Sequence, residues 1–348
     1  MSETLRRFVL EERGQTQDLG AYVVAAVFDR AGTAAFALGD GTVRIAKGPD
    51  WPAVEAHDGA VLAMAADVRG GWVTGGDDGG FRRVAPDGSA SDIARYGSKW
   101  VEQVASFADG KGGGVLACAV GKAAHVFDGG DGNGGAGAAL KSLQHPSTVT
   151  GLAFDGKGKR IAASHYNGCS LWFVGAKADS PRVMEWKGSH TGVILHPAAD
   201  AVVTSMQENA LHGWRLADGQ HMRMSGYPTK TASLSFSRNG KWLASSGAES
   251  VVLWPFFGGG PMGKAPLELA GAENVICTRV ACHPSHDMVA AGFNDGMVVL
   301  ADIGSKRIIP VAPGGHGPVS ALDWSGTGAF LAFGTETGFA ALVDFTPR

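Results

Sequence analysis

The stretch Ala163-Ser-His-Tyr-Asn-Gly-Cys-Ser-Leu-Trp-Phe173 has an apolar beginning, a polar middle and an apolar end. Asn and Gly tolerate positive φ angles, so the pair Asn167-Gly168 predicts a tight turn between two antiparallel strands. Similar turns recur along the chain at Asp40-Gly41, Asp78-Gly79, Gly121-Lys122, Asn209-Ala210, Glu249-Ser250, Asp295-Gly296 and Thr337-Gly338, at intervals of 38 to 46 residues. This period, built from strands alone, predicts a β-propeller, because one such repeat cannot bury its own faces.

The composition supports a folded chain with many short strands. Of the 348 residues, 45% are hydrophobic and 18% are charged, and the chain contains 53 glycines. The hydrophobic fraction is sufficient for a large core, and the glycine content is typical of many tight turns. A closed array of this length is commonly one unit, so we expect residues 1–348 to form a single domain.

Four strands can be assigned to each repeat except the last. Residues 317–346 contain only three predicted strands, whereas an additional strand-like segment, Leu5 to Glu12, precedes the first repeat. We therefore expect an all-β fold: a single closed β-propeller of eight four-stranded antiparallel blades. In this arrangement residues 1–12 complete the last blade, which removes exposed strand edges. Seven blades is the alternative, because several repeats are degenerate.

Charge and targeting signals narrow the range of partners. The net charge is −3, and Lys and Arg are not clustered, which argues against binding to nucleic acid or to an anionic membrane. The first residues lack the apolar core of a signal peptide, and no stretch of 18 apolar residues occurs. The four cysteines lie in predicted strands and are interpreted as buried thiols. We expect a cytoplasmic protein.

Two motifs resemble ligand sites but are better explained as turns. The cluster Cys282-His-Pro-Ser-His-Asp287 occupies a turn between first and second strands, and no companion pair stands at zinc spacing. The stretch Gly258-Gly-Gly-Pro-Met-Gly-Lys264 is followed by Ala265-Pro266, where a phosphate-binding loop requires Ser or Thr and a helix. The sequence also contains no nucleophile elbow and no catalytic carboxylate pair. We therefore predict no cofactor and no enzymatic activity.

Four loops that precede predicted first strands carry a histidine: Ala56-His57, Gln144-His145, Ser189-His190 and Gly315-His316. These loops resemble the Gly-His signature of the Trp-Asp (WD) repeat family of β-propellers. The segment from Phe236 to Ser245 is similar to the family's first hairpin, and Ser170-Leu-Trp172 and Val252-Leu-Trp254 are similar to its third strand. The resemblance covers essentially the whole chain.

The resemblance implies that a buried histidine fixes each loop to a neighbouring hairpin through hydrogen bonds. It gives two sets of residues for such networks: His145, Ser164, Asn167 and Trp172, and His190, Ser205, Asn209 and Trp214. A buried imidazole requires partners for both ring nitrogens, and each of these histidines has polar candidates in its own set. We therefore expect a structural role for them and no metal site.

The resemblance also implies a contact face, formed by the turns between second and third strands and by the loops entering the first strands. The residues expected on it are Lys99, Trp100, His165, Tyr166, Met206, Gln207, Phe293 and Asn294. Aromatic and Met side chains in exposed turns are typical of protein contacts. We expect a non-catalytic scaffold that docks a partner protein or peptide. The alternatives are a metal-dependent propeller hydrolase that uses the axial channel and a small-ligand sensor in that channel.

Overall fold

The computed structural model describes residues 8–130 and 139–347. The described chain begins with a short helix, α1 (Val9–Arg13), and an outer strand, β1 (Gly14–Asp18). In every later repeat the strands pair antiparallel with the next strand in the sequence. The first strand of each repeat contacts the first strand of a neighbouring repeat, so the sheets surround an axial channel.

The first three repeats and the sixth and seventh each form one four-stranded sheet. The first three consist of β2 (Val23–Phe28), β3 (Ala34–Leu38), β4 (Thr42–Ile45) and β5 (Ala53–Glu55); β6 (Val61–Ala66), β7 (Trp72–Gly76), β8 (Gly80–Val84) and β9 (Ala90–Arg95); and β10 (Gln103–Ala108), β11 (Gly114–Val120), β12 (Ala123–Asp128) and β13 (Lys141–Gln144).

The fourth and fifth repeats share one sheet of six strands: β14 (Gly151–Phe154), β15 (Arg160–Phe173), β16 (Arg182–Leu195), β17 (Ala201–Met206), β18 (Ala210–Arg215) and β19 (His221–Ser225). The sixth and seventh repeats consist of β20 (Leu234–Phe236), β21 (Trp242–Ser245), β22 (Val251–Pro255) and β23 (Leu267–Leu269), and of β24 (Cys277–Cys282), β25 (Met288–Phe293), β26 (Val298–Asp302) and β27 (Ile308–Ala312). The last sheet contains β28 (Val319–Trp324), β29 (Phe330–Thr335), β30 (Phe339–Asp344) and β1.

The turn predicted at Asn167 and Gly168 is confirmed. Both residues have positive φ angles, 64° and 148°, and β15 folds back on itself there. The amide of Val174 donates to the carbonyl oxygen of Lys159 at 2.9 Å, which joins the two outer ends of this hairpin.

The number of sheets differs from the main expectation. Strand β16 continues without a break from the outer strand of the fourth repeat into the first strand of the fifth, and it pairs with β15 on one side and β17 on the other. Two repeats are therefore united in one sheet. Counted as hydrogen-bonded sheets, the ring has seven blades, so the expectation of eight separate four-stranded blades is wrong and the alternative of seven fits.

The amino-terminal region closes the ring, as expected, but with a different strand. Strand β1 pairs with β30, so that Gly14 lies opposite Val343 and Asp18 opposite Phe339. The expectation that residues 1–12 supply this strand is wrong, because residues 9–13 form α1, while residues 1–7 lie outside the described chain. The apolar side chains of Val9 and Leu10 pack on the core of the last sheet. The closing strand is outermost and therefore polar.

Hydroxyl groups on the first strands join neighbouring sheets around the channel. Each hydroxyl donates to a backbone carbonyl oxygen on the first strand of the neighbouring repeat. That oxygen has no ladder partner, because it faces the channel. Such bonds run from Thr278 to Val319 and from Ser320 to Val23, with oxygen–oxygen distances of 2.7 and 2.6 Å. They connect successive sheets where β-ladders do not.

Most of the apolar cores lie between two neighbouring sheets, and one lies between the two repeats that share the six-stranded sheet. Where the ring closes, Val23, Phe36 and Trp51 of the first sheet pack with Ala321 and Ala332 of the last sheet. Burying a large apolar side chain of this kind stabilises the fold by about 1.5–3 kcal/mol. In the described chain, none of the helices is long and apolar enough to cross a membrane.

We expect the β1 ladder to be required for stability. Deletion of residues 1–18 exposes the edge of β30 and opens the core behind it, so it is predicted to lower the melting temperature by roughly 5 °C or more and to promote aggregation. Deletion of residues 1–7, which retains α1 and β1, is the control. Equal melting temperatures for the two truncated proteins, measured by calorimetry, would show that β1 does not close the ring.

Candidate functional site

We define the upper face as the side formed by the turns between second and third strands and the loops entering the first strands. Hydrogen bonds connect these two kinds of segment. The amide of Ala60 donates to Asp77 Oδ1 at 2.8 Å, and the amide of Tyr166 donates to Ser147 Oγ at 2.8 Å. Each bond fixes a turn to an adjacent loop, so the upper face is a set of mutually restrained segments.

The most complete side-chain network of the upper face is centred on His57. Its Nδ1 lies 2.8 Å from Asp78 Oδ1, and its Nε2 lies 2.9 Å from Thr74 Oγ1. A carboxylate only accepts, so Nδ1 carries the proton and Nε2 accepts from the Thr74 hydroxyl. In the sequence, His57 belongs to a signature loop and Asp78 to a predicted turn, and neither motif indicates that the two are connected. The sequence signal for the connection is Thr74, a hydroxyl residue on β7, which lies between the His57 loop and the Asp78 turn.

An acid, an imidazole and a hydroxyl in a row also occur in hydrolases. Here Thr74 and the side chain of His57 are completely buried, so a substrate cannot reach the hydroxyl. Burial lowers the pKa of His57 despite the nearby Asp78 carboxylate. Burial alone would raise the pKa of Asp78, but hydrogen bonds from His57 and from backbone amides together lower it. The network therefore fixes the loop in place.

His145 bonds to one member of its expected set, Trp172, and otherwise to the backbone. Its Nδ1 lies 3.2 Å from the carbonyl oxygen of Lys122, and the indole Nε1 of Trp172 donates to its Nε2 at 3.0 Å. Burial lowers the pKa of His145 to about 4, so the ring is neutral at pH 7. The other expected members bond elsewhere: Ser164 Oγ with Thr150 Oγ1 at 3.1 Å, and Asn167 Oδ1 with the amide of Gly188 at 3.2 Å.

His190 also bonds outside its expected set. Its Nδ1 lies 2.7 Å from Thr204 Oγ1, and its Nε2 lies 2.9 Å from the carbonyl oxygen of Trp186. Trp214 contacts the imidazole through its ring, with centroids 5.7 Å apart. The remaining members bond separately: Ser205 Oγ with Thr191 Oγ1 at 3.1 Å, and Asn209 Nδ2 with the carbonyl oxygen of Pro228 at 3.2 Å.

Three residues expected on the contact face are buried, so their assignment to it is wrong. Phe293 is 0% exposed, His165 is 2% exposed and Met206 is 4% exposed. Phe293 and Met206 are the last residues of β25 and β17, two strands whose successive residues are buried on both faces of the sheet. His165 also faces inward, where its Nε2 lies 2.9 Å from Ser170 Oγ.

The other five predicted contact residues are exposed on the upper face. Trp100 is 56% exposed and Tyr166 is 55% exposed, and Lys99, Gln207 and Asn294 are exposed beside other turns and loops. Tyr22 adds a third exposed aromatic side chain, at 41%, just before β2. The sequence analysis did not name Tyr22, because a Tyr beside a run of apolar residues is equally typical of a core position.

Trp100 also lines a cavity at the upper mouth of the axial channel. The cavity has a volume of about 370 Å³ and is lined by Leu62, Trp100, Glu102, Gln103, Thr150 and Thr191. Its walls are formed by residues at or just before the first strands of the second, third, fourth and fifth repeats. Trp100 belongs to the loop that precedes the first strand of the third repeat. A space of this size accommodates a small ligand or a side chain of a partner.

Carboxylates outnumber lysines on the upper face. The turns and entering loops carry Asp40, Asp58, Asp77, Asp78, Glu102, Glu208, Glu249, Glu273, Asp295 and Glu336, against Lys99, Lys122, Lys187 and Lys230. The predominant charge of this face is therefore negative, although the chain as a whole carries a net charge of only −3.

The part of the chain that the structure describes contains no arrangement that supports the metal-dependent alternative. Among residues 8–130 and 139–347, no group of three or more His, Cys, Asp or Glu side chains is placed to hold a metal ion. In the Cys282–Asp287 segment, His283 Nδ1 accepts from the amides of Ser285 and His286, and its Nε2 lies 3.2 Å from the carbonyl oxygen of Gly328. These contacts fix a turn.

The buried histidines predict a loss of stability in acid. Burial lowers the pKa of His145 to about 4 and also lowers the pKa of His190, whereas an unfolded histidine binds a proton below about pH 6.5. Their contribution is complete above about pH 6.5 and is lost as the pH falls towards 4. Each such histidine adds up to about 1.4 kcal/mol per pH unit to the decline in unfolding free energy.

Denaturant unfolding at several pH values between 7.5 and 4.5 tests this prediction. His145→Gln is expected to reduce the slope of unfolding free energy against pH. His316→Gln, which changes an exposed histidine of the same face, is expected to leave the slope unchanged. A slope that is the same in wild type and His145→Gln would contradict the assignment of a neutral, buried His145.

Comparisons with known proteins agree with this architecture. A family model described as the WD40 domain of Anaphase-promoting complex subunit 4 matches residues 280–347. A stretch of 146 residues is 25% identical to Autophagy-related protein 16 of Arabidopsis thaliana. That match covers 40% of this chain and 27% of the relative, so the chain spans about a quarter of the relative's length.

The ring also resembles a solved structure. The crystal structure of the computationally designed Ika8 protein matches with a TM-score of 0.74 over 94% of this chain and 97% of that chain, at 17% identity. At this identity the likeness shows the fold alone. The closed ring of antiparallel sheets shows that the chain is a β-propeller, and the family-model match shows that residues 280–347 are similar to a WD40 domain.

Proposed function

We propose that the protein is a non-catalytic scaffold that docks a partner protein or peptide on its upper face. The exposure of Trp100 and Tyr166, more than half of each side chain, is the observation that carries this proposal. Large aromatic side chains on restrained loops lose little conformational freedom on binding and bury a large apolar area.

The cavity beside Trp100 supplies a place for an anchoring side chain. Leu62 provides an apolar wall, while Glu102 and Gln103 provide acceptors at its rim. Interfaces gain most of their affinity from a few side chains inserted into such pockets, with polar groups around them. The cavity and the exposed aromatics together favour a docking surface that includes the channel mouth.

The carboxylates of the upper face favour a partner segment that carries Lys or Arg. Complementary charge increases the association rate and suppresses partners of the wrong sign. The same carboxylates disfavour extended polyanions, such as nucleic acid and anionic membranes, as ligands that cover this face. Binding is expected to weaken as ionic strength rises, because salt screens exposed charges.

The family is consistent with this proposal. WD40 propellers are typically protein-interaction scaffolds, and the matched family is, by its name, a subunit of a larger complex. The four cysteines are all free thiols, which supports a reducing compartment, and we include a cytoplasmic location and a single domain over residues 1–348 in the proposal.

A pair of variants tests the docking surface. The double variant Trp100→Ala, Tyr166→Ala is expected to reduce partner binding at least about tenfold, because such anchors typically contribute 2 kcal/mol or more. The control is Phe173→Ala, which removes an aromatic side chain of equal exposure, 58%, at the opposite end of the β15 hairpin. The measurement is quantitative affinity purification from the native host, followed by titration of the recovered partner.

Equal recovery of the same partner by wild type, the double variant and Phe173→Ala would overturn the assignment of the upper face. Loss of the partner with Phe173→Ala alone would place the docking surface on the opposite side. Unchanged circular dichroism and melting temperature of each variant establish that binding is compared between folded proteins.

A further inference from the structure

The first strands that line the axial channel carry only two charged side chains. These strands are β2, β6, β10, β14, the part of β16 from residue 191 to 195, β20, β24 and β28. Their sequences are otherwise apolar or neutral, and the two charged residues are Arg279 in β24 and Asp323 in β28. Opposite charges on neighbouring strands are expected to pair, so their actual contacts are informative.

The guanidinium of Arg279 contacts only neutral oxygen atoms. Its Nε donates to the carbonyl oxygen of Ser320 at 2.7 Å, and its Nη1 donates to the carbonyl oxygen of Thr278 at 3.0 Å. In the described parts of the chain, the ion pairs within 4.0 Å all involve other residues. The positive charge therefore has two hydrogen bonds but no direct counter-ion.

Asp323 does not neutralise this charge. Its carboxylate accepts from the amide of Trp324 at 2.9 Å and from the amide of Phe28 at 3.4 Å. It lies three residues beyond Ser320 on β28, about 10 Å at the usual rise of a strand. Burial raises the pKa of Asp323 to about 7, which is not the behaviour of a carboxylate paired with arginine.

Arg279 is half-buried at the channel, so its charge is only partly hydrated. Burial lowers the pKa of the guanidinium, and the nearby Tyr22 and Glu336 offset this effect only in part. A partly desolvated charge gains stability when it pairs with an opposite charge or binds an ion. Nη2 of Arg279 has no partner among the described residues, so the guanidinium retains donors for a ligand in the channel.

We propose that Arg279 holds a small oxyanion, a phosphate or a carboxylate, in the axial channel near its upper mouth. Guanidinium groups bind such anions through two parallel N–H···O bonds. The two carbonyl oxygens that hold Nε and Nη1 fix the orientation of the group, so it is arranged before the anion binds. This site lies inside the ring and does not depend on docking at the exposed aromatic side chains.

Thermal unfolding and calorimetric titration with sodium phosphate test the proposal, with sodium chloride used to keep the ionic strength constant. Wild type is expected to show a saturable rise in melting temperature and binding of one phosphate per chain. Arg279→Gln is expected to lose the rise and to bind phosphate at least tenfold more weakly. Arg279→Lys, which keeps the charge without the planar fork, is expected to fall between the two.

Arg215→Gln is the matched control, because Arg215 already pairs with Asp218 on the rim of a different cavity. This variant is expected to respond to phosphate like wild type. Sodium acetate, titrated in the same way, distinguishes a carboxylate site from a phosphate site. The proposal is overturned if neither anion produces a saturable shift in wild type, or if Arg279→Gln responds as wild type does.

Discussion

The pairing of β1 with β30 is the contact on which the rest of the structure depends. Each sheet has two apolar faces, and only a closed ring gives every sheet two neighbours. The ladder from Gly14 to Asp18 places both ends of the described chain in one sheet, so the ring cannot open without breaking it. The core shared by Val23 and Ala332 lies directly behind this closure. The ladder thus protects both the sheet edge and an inter-sheet core.

Closure of the ring does not provide hydrogen-bond partners for the backbone at the inner edge of each sheet. The first strands face the channel with carbonyl groups that no ladder satisfies, and hydroxyl side chains such as Thr278 and Ser320 donate to them. Arg279 makes the same kind of contact through its Nε. It therefore links two sheets as the hydroxyl residues do, but it also brings a positive charge into the channel. Because it carries this charge and the hydroxyl residues do not, Arg279 is the residue for which we propose a ligand.

The sequence predicted features that follow from local backbone chemistry. The turn at Asn167 and Gly168 was predictable because these residues tolerate the φ angles that the hairpin requires. Strand β1 was not predictable, because its sequence, Gly-Gln-Thr-Gln-Asp, lacks the apolar residues that indicate a strand. The union of two repeats in one sheet also left no signal, since continuity of β16 depends on how far hydrogen bonding extends between repeats.

The candidate site was less predictable, because two different constraints act on neighbouring residues. A buried imidazole needs partners, but any suitable acceptor nearby serves, so His145 bonds to a carbonyl of Lys122 that no side-chain motif specifies. Phe293 and Tyr166 stand beside equivalent turns, yet Phe293 is buried and Tyr166 is 55% exposed. Phe293 lies two residues before its turn pair Asp295-Gly296, on a strand buried between sheets, whereas Tyr166 directly precedes Asn167-Gly168.

The fold itself gives no reason for Tyr166 and Trp100 to be large and aromatic. Their exposed surface is hydrated in the isolated chain, and smaller polar residues would satisfy the same loop positions without that cost. Side chains that the fold requires are inside, in the networks of His57, His145 and His190. Those networks hold the loops so that the exposed rings keep fixed positions. A buried framework combined with exposed aromatic side chains is therefore a reason to assign recognition of a partner to the upper face.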